Sequence, residues 1–109
     1  MQYKISGIVI KGDGYGRKLG YPTVNLDPEV SIFPPIGVYA GEAMLGNKKY
    51  HAGIVVGPLD KIEAHLIGDE GDAYGKKVTL HILKFIREYK KFFSEEELIK
   101  QIGKDLAMC

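Results

Sequence analysis

Apolar and polar residues alternate along much of this chain, and the alternation predicts β-strands. Tyr3–Ile10 (YKISGIVI) opens with it, and Gly37–Leu45, residues 50–56 (YHAGIVV) and residues 61–67 (KIEAHLI) are further β-like runs. In the last run Ile62, Ala64 and Leu66 share one face, with Glu63, His65 and Ile67 on the other. Residues 77–86 alternate as well, placing Val78, Leu80, Ile82 and Ile86 on one side and Thr79, His81, Leu83 and Phe85 on the other. Apolar groups on both faces suit a barrel strand that packs inward and is also covered from outside. Between these runs, residues 11–20 (KGDGYGRKLG) are too rich in glycine for a regular element and read as a loop. Residues 21–26 read as extended or turn-like, because Pro22 restricts its neighbour.

The periodicity changes near the end. Ser94 followed by Glu97 is a capping box, and Phe93 with Leu98 suits a hydrophobic staple. Leu98, Ile102 and Leu106, with Ile99 beside them, form an apolar stripe at helical spacing. Five or six short strands and one C-terminal helix are therefore expected. A small closed or nearly closed antiparallel barrel satisfies that pattern and removes exposed sheet edges. With no helix between strands, a parallel α/β sheet is excluded.

Composition narrows the function classes. A length of 109 residues allows one domain, expected over residues 1–109. Fifteen Lys and Arg against 14 Asp and Glu leave no basic surplus of the kind that grips nucleic acid, so no nucleic-acid partner is expected. Cys109 is the sole cysteine, so neither an intrachain disulfide nor a cysteine-based metal site is available. No apolar run reaches about 18 residues and no signal-peptide pattern follows Met1, so no membrane partner and a cytoplasmic location are expected.

Three segments carry candidate chemistry. The loop with Gly12, Gly14, Gly16, Arg17 and Lys18 offers backbone N–H groups and a forked guanidinium to a phosphate. It is not a Walker A loop, and read alone it also suits a hairpin with solvated basic groups. Thr23 and Asn25, two apart, project to the same side of an extended chain. A hydroxyl and an amide oxygen suit Mg²⁺ already held by a nucleotide, although both side chains could equally bond to nearby backbone. Glu63 sits within an apolar strand, where a carboxylate is either a general base or a solvated edge residue. His65 and His81 lack a third ligand at metal spacing, and residues 87–92 (REYKKF) read as a solvated basic turn.

The order GIVIKG at 7–12, GYGRKLG at 14–20, PTVN at 22–25 and PIGVY at 35–39 resembles the N-terminal half of the bacterial and eukaryotic riboflavin kinase family. Glu63-Ala64-His65, Tyr74-Gly75, Ile86-Arg87, Lys90-Lys91-Phe92 and Ser94 through Asp105 continue the likeness across the chain. The resemblance implies a mainly β fold, a six-stranded antiparallel Greek-key barrel with a C-terminal helix. It implies an ATP:riboflavin 5'-phosphotransferase that makes FMN and ADP with Mg²⁺. Gly12, Gly14, Gly16 and Arg17 would cover the ATP phosphates, and Thr23 with Asn25 would hold the metal. Thr23, Leu66, Gly68 and Tyr74 would border the nucleotide, Glu63 would be the catalytic base, and Arg87, Lys90, Glu97 and Leu98 would lie against the flavin. A monomer with riboflavin/FMN and ATP/ADP as its ligands is expected.

Two departures qualify the likeness. Family members commonly carry a longer loop before the catalytic glutamate, whereas only residues 58–62 separate Gly57 from Glu63. Many bacterial relatives also carry an adenylyltransferase domain that makes FAD; with none in this sequence, the product is expected to be FMN. A non-catalytic flavin- or nucleotide-binding barrel is the alternative reading, and a small RNA- or protein-binding barrel a more distant one.

Overall fold

The computed structural model describes residues 3–10, 23–29, 34–58, 61–68, 74–89 and 94–108, with the backbone alone at 95 and 98. Within them six strands and one helix follow in order: β1 (Tyr3–Ile10), β2 (Val24–Pro28), β3 (Gly37–Leu45), β4 (Lys48–Val56), β5 (Ile62–Leu66), β6 (Lys77–Arg87) and α1 (Glu95–Ala107). The strands close into an antiparallel barrel in the order β1-β2-β5-β4-β3-β6. Strands β3, β4 and β5 form a meander, and β6 returns past it to lie beside β3, which is the Greek-key arrangement. The fold is therefore the mainly β, six-stranded barrel with a C-terminal helix that the sequence implied.

Alternation puts one side chain in two inside. Ile5 and Val9 of β1, Leu26 of β2, Ile54 and Val56 of β4, and Leu80 and Ile82 of β6 are buried together in one core. Ala43, Ala52 and Ala64 are fully or almost fully buried among them, because the narrow interior needs small residues opposite large ones. A methyl group at Gly7 would run into the carbonyl oxygen of Asp27, and one at Gly41 into that of His81. Glycine at these two positions lets neighbouring strands approach closely as the sheet curls shut.

Two sequence expectations change here. The piece at 21–26, read as extended or turn-like, becomes a true strand from Val24 to Pro28 that sends Leu26 into the core. In β6 the register against β3 shifts twice, between Ala40 and Gly41 and between Val38 and Tyr39. The first shift skips Leu83, so Phe85 falls opposite Tyr39, on the inward face rather than with Thr79 and His81. Its ring meets the Tyr39 ring edge-on at 5.4 Å, and Gly37 leaves the room that Phe85 occupies at the barrel mouth.

The helix starts as expected, with the Ser94 side chain accepting a hydrogen bond from the Glu97 N–H at 3.2 Å. Phe93 lies outside the described residues, as does the Leu98 side chain. A charged clamp ties α1 to the barrel. Arg87, the last residue of β6, donates through Nε and Nη2 to the Asp105 carboxylate at 2.8–3.1 Å. Gln101, one turn earlier on α1, donates to the same carboxylate at 2.9 Å. Asp105 is 6% exposed, a burial that a carboxylate tolerates only when paired in this way.

Candidate active site

The site begins with the register of β2 against β5. Leu26, Ile62 and Ala64 face inward, so their odd-numbered neighbours Asn25 and Glu63 must face outward, and those two stand directly opposite each other. Thr23 lies two residues before Asn25, exposed. The opposition continues around the barrel. Ile10 pairs with Asn25, Glu63 with Val55, Val55 with Val38, and Val38 with Arg87. One residue from each of the six strands thus forms a lateral belt on the outer surface: Ile10, Asn25, Glu63, Val55, Val38, Arg87. At a strand spacing of about 4.8 Å, the three steps from Glu63 to Arg87 trace roughly 14 Å along the curved sheet, half-way round the barrel.

The belt has an order. Neutral side-chain oxygens stand at Asn25 and Thr23, a carboxylate comes next at Glu63, and two valines lead to the guanidinium of Arg87. Val38 faces away from the core yet is only 4% exposed, beside the residue that anchors α1. The Lys61 ammonium lies 3.8 Å from Glu63 Oε1, with the two side chains 57% and 26% exposed. The Gly57 N–H donates to the Lys61 carbonyl at 2.8 Å, which ties the end of β4 to the residue just before β5.

The other sequence-derived candidates fall into three groups. Leu66 is 3% exposed and packs in the core, so its side chain is unavailable to a ligand and only its backbone borders the outer face. Alternation had already set Leu66 on the face it shares with Ile62 and Ala64, and the barrel turns that face inward; its place beside the nucleotide came from the family resemblance alone. Gly68 sits in the turn after β5 with φ +90, a conformation suited to glycine. Tyr74 is 62% exposed, and the turn that carries it is bound to β1: the Gly75 N–H donates to the Val9 carbonyl, and the Val9 N–H to the Lys76 carbonyl. This brings Tyr74 to the end of β1 that leads into the glycine-rich loop. Glu97 is exposed in the first turn of α1. Gly12, Gly14, Gly16, Arg17, Lys90 and the Leu98 side chain lie outside the described residues.

The donor set suits a metal brought in by its substrate. Among the described residues no group of three or more His, Cys, Asp or Glu could hold a metal ion. Two neutral oxygens beside a single carboxylate complete the coordination of a hard cation already bound to phosphate, but bind a free one poorly. Sequence reasoning singled out Thr23, Asn25 and Glu63 as candidates, without the register that sets Asn25 against Glu63. It missed Lys61, whose signal was its position two residues before Glu63 on the same face, and Asp105, whose signal was a carboxylate on the buried side of an amphipathic helix.

Comparison with known proteins shows the family. The model of the riboflavin kinase (Flavokinase) family matches residues 1–109. The RNA-binding riboflavin kinase of Bacillus subtilis is 40% identical over 94% of this chain and 48% of its own length. The bifunctional riboflavin kinase/FMN adenylyltransferase of Escherichia coli is 34% identical over 94% of this chain and 36% of its own. The chain thus spans about half the length of the first relative and about a third of the second. Among solved structures, a macrolide-efflux protein from Streptococcus pneumoniae superposes with a TM-score of 0.89 at 31% identity, over 95% of this chain and 37% of that one. Riboflavin kinase from Trypanosoma brucei shares the fold at a TM-score of 0.73 and 19% identity, over 98% and 74% of the two chains. With its whole length matched by the family model and its barrel shared with these structures, the chain belongs to the riboflavin kinase family.

Proposed function

We propose that this domain transfers the γ-phosphoryl group of ATP to the terminal ribityl hydroxyl of riboflavin, releasing FMN and ADP. The family uses ATP and a divalent metal, and the belt on the outer barrel surface carries the reading. It sets the neutral ligands Asn25 and Thr23 beside the Glu63 carboxylate, then two valines, then the helix-anchoring Arg87. Such an order suits a phosphate end, a reacting hydroxyl and an apolar ring lying side by side.

Phosphoryl transfer asks the protein mainly for positioning and charge stabilisation. Thr23 and Asn25 would hold a Mg²⁺ that enters with the nucleotide and there neutralises phosphate charge. Gly12, Gly14, Gly16 and Arg17 cover the phosphates in this reading, and the backbone at Leu66 and Gly68, with Tyr74, borders the nucleotide. An alcohol is too weak an acid for a carboxylate to ionise beforehand, so Glu63 takes its proton late, as the oxygen–phosphorus bond forms. Lys90, Glu97 and Leu98 lie toward the flavin. Arg87 serves it from behind, by holding α1 through Asp105.

A monomeric domain in the cytoplasm fits this substrate pair, and among the described residues no helix is long and apolar enough to cross a membrane. RNA binding is named for the longer Bacillus subtilis relative; here 15 basic against 14 acidic residues supply no surplus for it. Incubation with riboflavin and MgATP, followed by separation of the flavins, tests the proposal. FMN is the expected product. Binding of both substrates without any FMN would replace the kinase by a non-catalytic flavin- and nucleotide-binding barrel.

A further inference from the structure

Lys61 is a charged group beside the reacting centre to which the function above gives no task. Its ammonium stands 3.8 Å from Glu63 Oε1, beyond hydrogen-bond length, and its side chain is 57% exposed. A pair that long and that open contributes little to stability, so the fold does not need it. It is also easily re-formed with another anion, since lysine is a point charge on a flexible four-carbon stem. Asn25 stands directly across from Glu63, so a nucleotide whose metal rests on Asn25 brings its terminal phosphate alongside the carboxylate. Two anions then face each other around the incoming hydroxyl. Among the described residues, Lys61 is the cation already within 4 Å of that spot.

We infer that Lys61 is a catalytic residue, binding a γ-phosphoryl oxygen of ATP through its ammonium as the phosphoryl group passes to riboflavin. The inference rests on the kinase reading. In the step itself, a lone pair of the ribityl oxygen forms the new oxygen–phosphorus bond. The bond from the γ-phosphorus to the bridging oxygen breaks, and its electron pair leaves on ADP. The hydroxyl proton passes to Glu63. Lys61 changes no bond; it stabilises charge on the equatorial oxygens and separates them from the carboxylate. The Gly57 N–H, bonded to the Lys61 carbonyl, fixes where its stem begins.

Binding and turnover of Lys61→Met and Lys61→Arg test this. Calorimetry compares MgADP with the magnesium complex of a non-hydrolysable ATP analogue carrying an imido-linked γ-phosphate. The wild type is expected to prefer the triphosphate. In Lys61→Met that preference disappears while MgADP affinity stays within about twofold, and kcat falls by about 100-fold, the low end for loss of one charge-stabilising group. Lys61→Arg restores most of both. Substitution of an exposed side chain should leave the melting curve unchanged, and a role confined to placing riboflavin would raise its KM instead. A Lys61→Met variant that keeps the triphosphate preference and wild-type kcat overturns the inference, as does a wild type that binds both nucleotides equally. A wild type that binds the triphosphate more tightly through Lys61 but makes no FMN sinks the kinase reading and leaves the contact standing.

Discussion

Glu63 owes its place to parity. Its neighbours Ile62 and Ala64 are each 1% exposed, locked in the barrel interior, so the glutamate between them points out whatever its chemistry requires. It adds nothing to the core, which makes it a residue that can be changed without disturbing the fold. Glu63→Gln keeps size and hydrogen-bonding capacity and removes basicity. The variant should melt with the wild type and bind MgATP and riboflavin nearly unchanged. Turnover should fall by about 10²–10⁴-fold, and the loose transition state of phosphoryl transfer favours the lower half of that range. Single-turnover FMN formation measures it, and wild-type turnover in a folded variant that binds both ligands removes Glu63 from the mechanism. At this scale the sequence was most readable in its parity, which set Asn25 and Glu63 on the outward face that the register gives them. At Leu66 alternation and resemblance disagree: alternation sets it with the buried Ile62 and Ala64, while the family resemblance sets the chain around it beside the nucleotide. Arg87 shows a second limit: a cation near a predicted site reads the same whether it meets a ligand or, as here, a carboxylate 18 positions on.

Among the elements, α1 depends most on a single contact. Ile102 and Leu106 are half-buried rather than sealed, Ile99 is exposed, and the Arg87–Asp105 pair carries much of the attachment. The geometry is forked, with Nε and Nη2 on one carboxylate, and lysine cannot reproduce it. Arg87→Ala leaves Asp105 buried without that partner. The cost should be about 3 kcal/mol, the low end for a broken buried pair because the arginine keeps 22% of its exposure. Arg87→Lys should recover less than half of it. Flavin affinity should fall in parallel with helix loosening, so that hydrogen exchange in α1 rises while protection in β3, β4 and β5 is retained. Weaker flavin binding with α1 exchange unchanged would instead make Arg87 a direct ligand. The strands and the helix start were legible because alternation and a capping serine are local signals. The two bulges in β6 were not, since an extra residue is defined only against a partner strand, and β3 lies more than 30 positions earlier. They carry Phe85 to the mouth and leave Arg87 opposite Val38, so the Arg87 end of the belt depends on them.

Closing the sheet on itself gives every strand two partners and confines the interior to side chains that fit, and Tyr39 is the polar-tipped exception. Its ring belongs to the core and its hydroxyl donates to the Pro35 carbonyl at the barrel end. Burial, with a smaller contribution from nearby Tyr3, raises its pKa above the ordinary 10.0. The unfolded chain releases this proton near pH 10 while the barrel still holds it. The folded state therefore binds more protons over that interval, and stability falls as pH rises. Below pH 10 the contribution is fully present; it is lost as pH climbs through 10 toward the folded-state value. Urea midpoints measured from pH 8 to 11 should stay flat and then drop. Tyr39→Phe removes the titrating group along with its hydrogen bond. The variant should start lower by about 1 kcal/mol at pH 8, the net worth of one such bond, and then decline less steeply above pH 10. The two curves should converge with rising pH. Parallel curves across the whole range would mean that closure of the barrel leaves the Tyr39 proton as free to dissociate as it is in the unfolded chain.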